Sequence, residues 1–276
     1  MLLEKLINKS VYGTIGYISS REDLMGLEQM INLNYNVLKH YKSIVAAVNY
    51  STPEVMEELQ ELHQSLWEHY FPAKSHVINS PINRGHNHGY TDLDNMVFDY
   101  CKDSNIQWLC KSANDTFILE SILTREVPEV DFYYLNGIGF GGMKSFDFKM
   151  DDIIDQYFYP QTNFYFMDVS KVGYLNDKAY LDLTYEQIQK IPNYNGRIWE
   201  YIQDWSCEDF LKTCVNNHYL TRYHLISEET YRDLLRTVTL HQIHDPSHKN
   251  IIVGDVCHLH YPKEHVLQLT LKPDSI

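Results

Sequence analysis

The sequence predicts an α/β protein: a mostly parallel sheet with helices on both faces, followed by a second half of α+β character. Three observations carry this. Short β-branched and aromatic runs alternate with amphipathic helical stretches through the first half. The strand-like runs are apolar throughout rather than alternating, as in strands buried between two helix layers. After about Asp131 the alternation gives way to aromatic runs, a glycine loop and an acidic stretch.

Each element has its own local reason. Tyr12 to Ser19 (YGTIGYIS) reads as the first strand. Ser20 with Asp23 three residues on forms a capping box, and Leu24, Leu27, Ile31, Tyr35 and Leu38 follow at helical spacing. Ser43 to Val48 (SIVAAV) is a strand buried on both faces, after which Thr52 and Pro53 suit the N-cap and first position of a helix. Val55, Met56, Leu59, Leu62 and Leu66 mark the expected buried stripe of that helix. Ser75 to Asn79 reads as strand three, and PINRGHNHG as a loop before a helix over about Thr91 to Tyr100, with Leu93, Met96, Val97 and Tyr100 inward. Ile106 to Cys110 is strand four. Alternation of this kind implies parallel pairing and right-handed crossovers. Ligands of such sheets bind beyond the carboxyl ends of the strands.

The 276 residues are 44% hydrophobic and 22% charged, enough for one large core. No Pro/Gly/Ser linker divides the chain, so we expect one domain over 1–276, with about 1–118 as one half of the site and about 119–276 completing it. A net charge of -14 opposes general binding to nucleic acid or anionic lipid. No apolar run is long enough to span a bilayer, and Glu4, Lys5 and Lys9 interrupt any leader, so a cytoplasmic protein with no membrane partner is expected. Five cysteines without a CxxC pair favour neither a disulfide framework nor a thiolate zinc site.

Several segments can carry chemistry. In WLCKSANDTFI a buried strand ends in Asn114 and Asp115, a place where a carboxylate can hold a hard cation against a diphosphate; the same residues also suit a plain turn. Cys207 to Asp209 (CED) opens a predicted helix. A carboxylate there can act as general base toward a hydroxyl, or simply complement the helix dipole. His258 and His260 share one face of a strand, as two-residue spacing requires. His86 and His88 repeat that spacing in a loop, where phosphate or sugar hydrogen bonding competes with metal binding. His241, His244 and His248 with Asp245 suggest zinc, although DPSH reads as a turn. Gly137, Gly139, Gly141 and Gly142 allow close backbone approach, but their spacing fits neither a Walker nor a dinucleotide loop. The acidic segment 147–155 reads as a solvated face.

Taken in order, ISSR (Ile18 to Arg21), NRGHNHG (Asn83 to Gly89), KSANDT (Lys111 to Thr116), CED and the C-terminal histidines resemble the GT-A fold of nucleotide-sugar glycosyltransferases, over roughly residues 12 to 261. The resemblance implies a GT-A-like, Rossmann-like sheet and a donor site bordered by Thr14, Ser19, Arg21, Asn83, Arg84, Asn114 and Asp115. It implies a manganese or magnesium ion held by Asp115 with His258 or His260. It also implies a catalytic pair, Glu208 and Asp209, with Asp209 as the base of an inverting transfer. Acceptor contacts fall to Trp199, Trp205, Gly141 and Gly142, with Tyr201 nearby. The metal motif departs from the family pattern, because its first carboxylate position is Ala113.

The expected partners are a nucleotide-sugar donor and an acceptor with a free hydroxyl, such as a glycan. The composition suits a phage or viral enzyme in a host cytoplasm, and a hydroxylated DNA base then becomes an acceptor, with Arg197, Arg222 and Lys249 as its basic rim. A protein of this shape that binds nucleotide sugar or glycan with little or no turnover is the alternative that Ala113 motivates. A nucleotidyltransferase needs a glycine-rich basic loop after strand one, which ISSRED lacks.

Overall fold

The computed structural model describes residues 1–80, 86–114, 116–136, 158, 160–172, 207–225, 250–253 and 256–259. Helix α1 (Leu3–Ile7) leads into β1 (Ser10–Ile18), α2 (Arg21–Leu38), β2 (Ser43–Tyr50), α3 (Pro53–Tyr70), β3 (Ser75–Asn79), α4 (His86–Asp103) and β4 (Trp108–Ala113). After β4 come β5 (Thr116–Ile118), β6 (Phe132–Asn136), β7 (Pro160–Asp168), α5 (Cys207–Asn217), β8 (Arg222–His224), β9 (Asn250–Val253) and β10 (Val256–Leu259).

Seven strands form one sheet in the order β3-β2-β1-β4-β7-β6-β8, and β5, β10 and β9 form a small antiparallel sheet. The pairings of β1 with β2 and β4, of β2 with β3 and of β6 with β8 are parallel; β7 is antiparallel to both of its neighbours. Thus one reversed strand is inserted between β4 and β6, and the fold is an α/β protein with a mixed, mostly parallel sheet.

Helices cover both faces, because the strands are apolar on both. On one face Leu24, Leu27 and Ile31 of α2 and Leu59 and Trp67 of α3 pack over Tyr12, Ile44, Ala46, Val48 and Cys110. On the other, Leu93, Val97 and Phe98 of α4 and Leu211 and Val215 of α5 pack over Val11, Ile15, Val45, Leu109 and Met167. Helix α4 lies close to β1 because Gly13 has no side chain: a Cβ there would stand 2.5 Å from Val97 Cγ1 and 2.8 Å from Leu109 Cδ1.

The start of α2 is fixed as the sequence implies. The Asp23 carboxylate accepts hydrogen bonds from the Ser19 and Ser20 backbone N–H groups at 2.7 and 3.1 Å. Thr52 Oγ1 accepts from the Val55 N–H at 3.3 Å, with Pro53 as the first residue of α3. Elsewhere the expectations need correction. The buried stripe of α3 is Leu59, His63 and Trp67, while Leu62 is exposed. The helix turns a histidine inward because His63 is hydrogen-bonded at both ring nitrogens, accepting from Trp67 Nε1 at 3.1 Å and lying 3.3 Å from the Tyr50 hydroxyl. Tyr35 of α2 is also exposed rather than buried. Helix α4 begins at His86 and takes in both histidines of the expected loop, and β4 runs on to Ala113. Among the described residues no helix is long and apolar enough to cross a membrane.

Two stability predictions follow from this packing. Gly13→Ala forces a methyl into filled space between α4 and β1, and urea denaturation should show a loss of ~1–3 kcal/mol. Burial pushes the His63 imidazole down from 6.5 to about 4. Its contribution to stability is therefore complete above pH 6.5 and is lost as pH falls toward 4. Across that window the stability of the native protein should fall by ~3 kcal/mol more than that of His63→Gln, measured by denaturant titration at each pH.

Candidate functional site

The carboxyl edge of the parallel strands is where this fold concentrates polar groups. Strands β1, β2 and β3 end at Ile18, Tyr50 and Asn79, and α2, α3 and α4 begin after them at Arg21, Pro53 and His86. Three helix N-termini, the positive ends of their dipoles, thus lie along one edge, a setting that favours an anion. Because β7 is reversed, its first residues reach the same edge beside the end of β4, with Ser112 opposite Phe164. Helix α5 begins there too: Thr162 Oγ1 donates to Glu208 Oε1 at 2.8 Å.

Below that edge lies a buried ionic cluster that the sequence reading passed over. Lys111 of β4 has no exposed surface, and Asp94 of α4 is 1% exposed. The Lys111 ammonium donates to the Thr162 carbonyl, stands 3.8 Å from Asp94 Oδ1 and sits 4.4 Å above the Tyr90 ring. Among the described residues neither Asp94 carboxylate oxygen has a hydrogen-bond partner, and the Tyr165 hydroxyl lacks one as well. Burial pushes the Asp94 carboxyl up to about 7, Lys111 opposing and Glu208 adding to the rise. Burial also holds the Tyr165 phenol well above its usual range, and the Asp94 charge adds to that. A periodic signal was available, since Asp94 falls on the buried stripe of α4 with Val97, Phe98 and Cys101. Lys111 likewise interrupts an otherwise apolar strand.

The expected donor residues are distributed unevenly. Thr14 is buried in the middle of β1, paired with Ala46 and Ser112, so it does not border the strand's carboxyl end. Both the N–H and the hydroxyl of Ser19 go to Asp23, the hydroxyl at 2.6 Å. Arg21 Nε pairs with Glu58 Oε1 at 3.1 Å, joining α2 to α3 with its side chain 67% exposed. Asn114 lies in the turn after β4 and is half-buried, its amide nitrogen 2.9 Å from where a Cβ on Gly16 would stand. Ala113 is the buried last residue of β4.

Asp115, Asn83, Arg84, Gly137, Gly139, Gly141, Gly142, Trp199, Tyr201, Trp205, His260, Arg197, Lys249, His241, His244, His248, Asp245 and the acidic segment 147–155 lie outside the described residues. Asp209 is described as the third residue of α5, beside Glu208, and His258 as part of β10. The small sheet adds one juxtaposition: β10 pairs antiparallel with β5, with His258 opposite Thr116, the residue after Asp115. Strand β5 is itself fixed by Asn34 of α2, whose amide donates to the Thr116 carbonyl at 2.7 Å and accepts from the Ile118 N–H at 2.8 Å. Among the described residues no group of three His, Cys, Asp or Glu side chains could hold a metal ion. Arg222 of β8 stacks on Phe158, its guanidinium carbon 4.0 Å from the ring centre.

The raised Asp94 carboxyl makes a stability prediction with a defined sign. Its contribution is complete below about pH 4 and is lost as pH rises through 7, where a buried charge must form. Asp94→Asn should therefore gain stability relative to the native protein between pH 4 and 8, by at most roughly 4 kcal/mol, read from denaturant midpoints at each pH.

No family model matches the chain, and no curated protein matches it.

Proposed function

We propose that the protein is a GT-A-type glycosyltransferase that moves a sugar from a nucleotide donor to an acceptor hydroxyl with inversion at the anomeric carbon. The observation that carries this reading is the meeting of the start of α5, bearing Glu208 and Asp209, with the start of β7 beside the carboxyl end of β4. The pairing of β10 with β5, which begins one residue after Asp115 in the sequence, supports it further.

In this reading the nucleotide diphosphate lies along the carboxyl edge, where the N-termini of α2, α3 and α4 oppose its negative charge. Asp209 takes the proton of the acceptor hydroxyl as the oxygen forms its bond to the anomeric carbon. The bond from that carbon to the diphosphate oxygen breaks on the opposite side, and the electron pair leaves with the diphosphate. Asp115 with His258 or His260 are the residues that would hold a divalent cation, manganese or magnesium, which supplies charge neutralisation of the departing diphosphate. That donor set offers one carboxylate and imidazole where the familiar motif offers two carboxylates, and such a site holds a hard cation weakly. Ala113 favours a second reading, in which the edge binds a nucleotide sugar or glycan with little or no turnover.

The test is thermal stability of the purified protein against nucleotide diphosphates and nucleotide sugars, with and without manganese or magnesium, since a ligand of the folded state raises the melting temperature by mass action. A shift with one nucleotide is expected, larger with manganese. Asp209→Asn should keep that shift and lose transfer by a factor on the order of 10²–10⁴, measured as release of nucleoside diphosphate. Full activity in that variant removes the base assignment. Binding without release across a broad set of hydroxyl acceptors selects the second reading, and no shift with any nucleotide overturns the first.

A further inference from the structure

We infer that Lys111 is a positioning residue for the acidic pair of α5, acting through a buried chain that runs from Asp94 to Lys111, to Thr162 and to Glu208. The functional half of this inference rests on the glycosyltransferase reading; the structural half does not.

The geometry is specific. A lysine with no exposed surface is rare, because an ammonium removed from water needs counter-charges and acceptors close by. Among the described residues Lys111 donates to the Thr162 carbonyl and stands 3.8 Å from Asp94 Oδ1. The same threonine donates its hydroxyl to Glu208 at 2.8 Å. Thr162 is thus held at its backbone by β4 and holds α5 with its side chain. Among the described residues helix α5 also meets the sheet through Leu211, Cys214 and Val215, farther along its length. Those apolar contacts are non-directional and set the helix against the face; the Thr162 bond fixes the placement of its first turn. Asp209 adjoins Glu208, so a shift of that turn moves the proposed base with it.

Among the described residues four titratable or charged groups face Asp94 or its lysine partner. Strand β4 offers Lys111, β7 offers Tyr165, α5 offers Glu208, and α4 itself offers Tyr90. On the same face β1 and β2 present Val11, Ile15, Val45 and Ala47, which carry no charge. The Glu208 charge raises the Asp94 midpoint and the Lys111 charge lowers it.

The first experiment needs no substrate. Carbon-13 NMR of carboxyl-labelled Asp and Glu in the full-length protein follows the Asp94 carboxyl as pH is varied, its resonance assigned by its disappearance in Asp94→Asn. In Glu208→Gln the Asp94 midpoint should fall, and in Lys111→Met it should rise. An unmoved midpoint in Glu208→Gln overturns the chain.

The second experiment reads positioning. If nucleotide-sugar turnover is found, Thr162→Val should lower kcat by roughly 10- to 100-fold with the KM for donor unchanged, and Thr162→Ser should restore it, because only the hydroxyl reaches Glu208. Lys111→Met should show the same split with a larger fall. Where Lys111→Met does not fold, the Thr162 pair decides. Native kcat in Thr162→Val overturns the positioning role. Absence of turnover in the native protein removes the glycosyltransferase reading, and the inference then stands or falls on the titration alone.

Discussion

A lysine ammonium with no contact with water has to be answered inside the protein, and Lys111 is answered from α4 and β7 around its own strand. This constraint joins parts of the chain that are distant in sequence. The Lys111 ammonium donates to β7 and lies against the Asp94 carboxyl of α4, so the cluster ties the packing of α4 to the position of β7. Apolar packing alone would leave those elements free to slide by fractions of an ångström. Burial pushes the Asp94 carboxyl of this cluster up to about 7, with the Lys111 charge opposing that rise and the Glu208 charge adding to it.

The reversed strand β7 is what makes this arrangement available. In a wholly parallel sheet the neighbour of β4 would bring its own carboxyl end to the edge. Because β7 runs the other way, its amino-terminal residues meet the end of β4, and the backbone carbonyl of Thr162 comes within reach of a side chain from the middle of that strand. The two halves of the chain thus meet in the centre of the sheet at a β4–β7 ladder. Gly13, which admits α4 close against β1, serves the same region by bringing Asp94 down toward the sheet.

Much of this frame was legible in the sequence, and the reasons are local. Ser20 with Asp23 and Thr52 with Pro53 set helix starts through contacts spanning three residues, and the SIVAAV run marks a strand buried on both faces whatever its neighbours are. The α3 stripe was misread because hydropathy ranks His63 below Leu62, whereas in the fold Trp67 and Tyr50 satisfy the imidazole and leave the leucine outside. Glu208 of CED meets Thr162 at the start of β7, a contact between elements that no local pattern supplies. Thr14, Ser19 and Arg21 were chosen by nearness to the end of strand one. That criterion ignores register and capping, which bury the first and engage the other two with Asp23 and Glu58. Asp94 and Lys111 sat in plain view as charged residues on apolar stripes, but their meaning depends on a pairing between elements that periodicity does not supply.

The pairing of β5 with β10 has a consequence for how the chain comes to its final form. Strand β5 leaves the main sheet immediately after β4 and is seated on α2 by the two hydrogen bonds of Asn34, yet its partner strand lies about half the chain's length further on. Contacts of such long sequence separation are slow to form, since the loop entropy is lost before the strand pairing rewards it. During synthesis the four parallel strands and their helices can therefore assemble while β5 waits with one edge unpaired. Strand β5 gains its partner only when residues 250–259 have been made, long after the helices and strands that seat it.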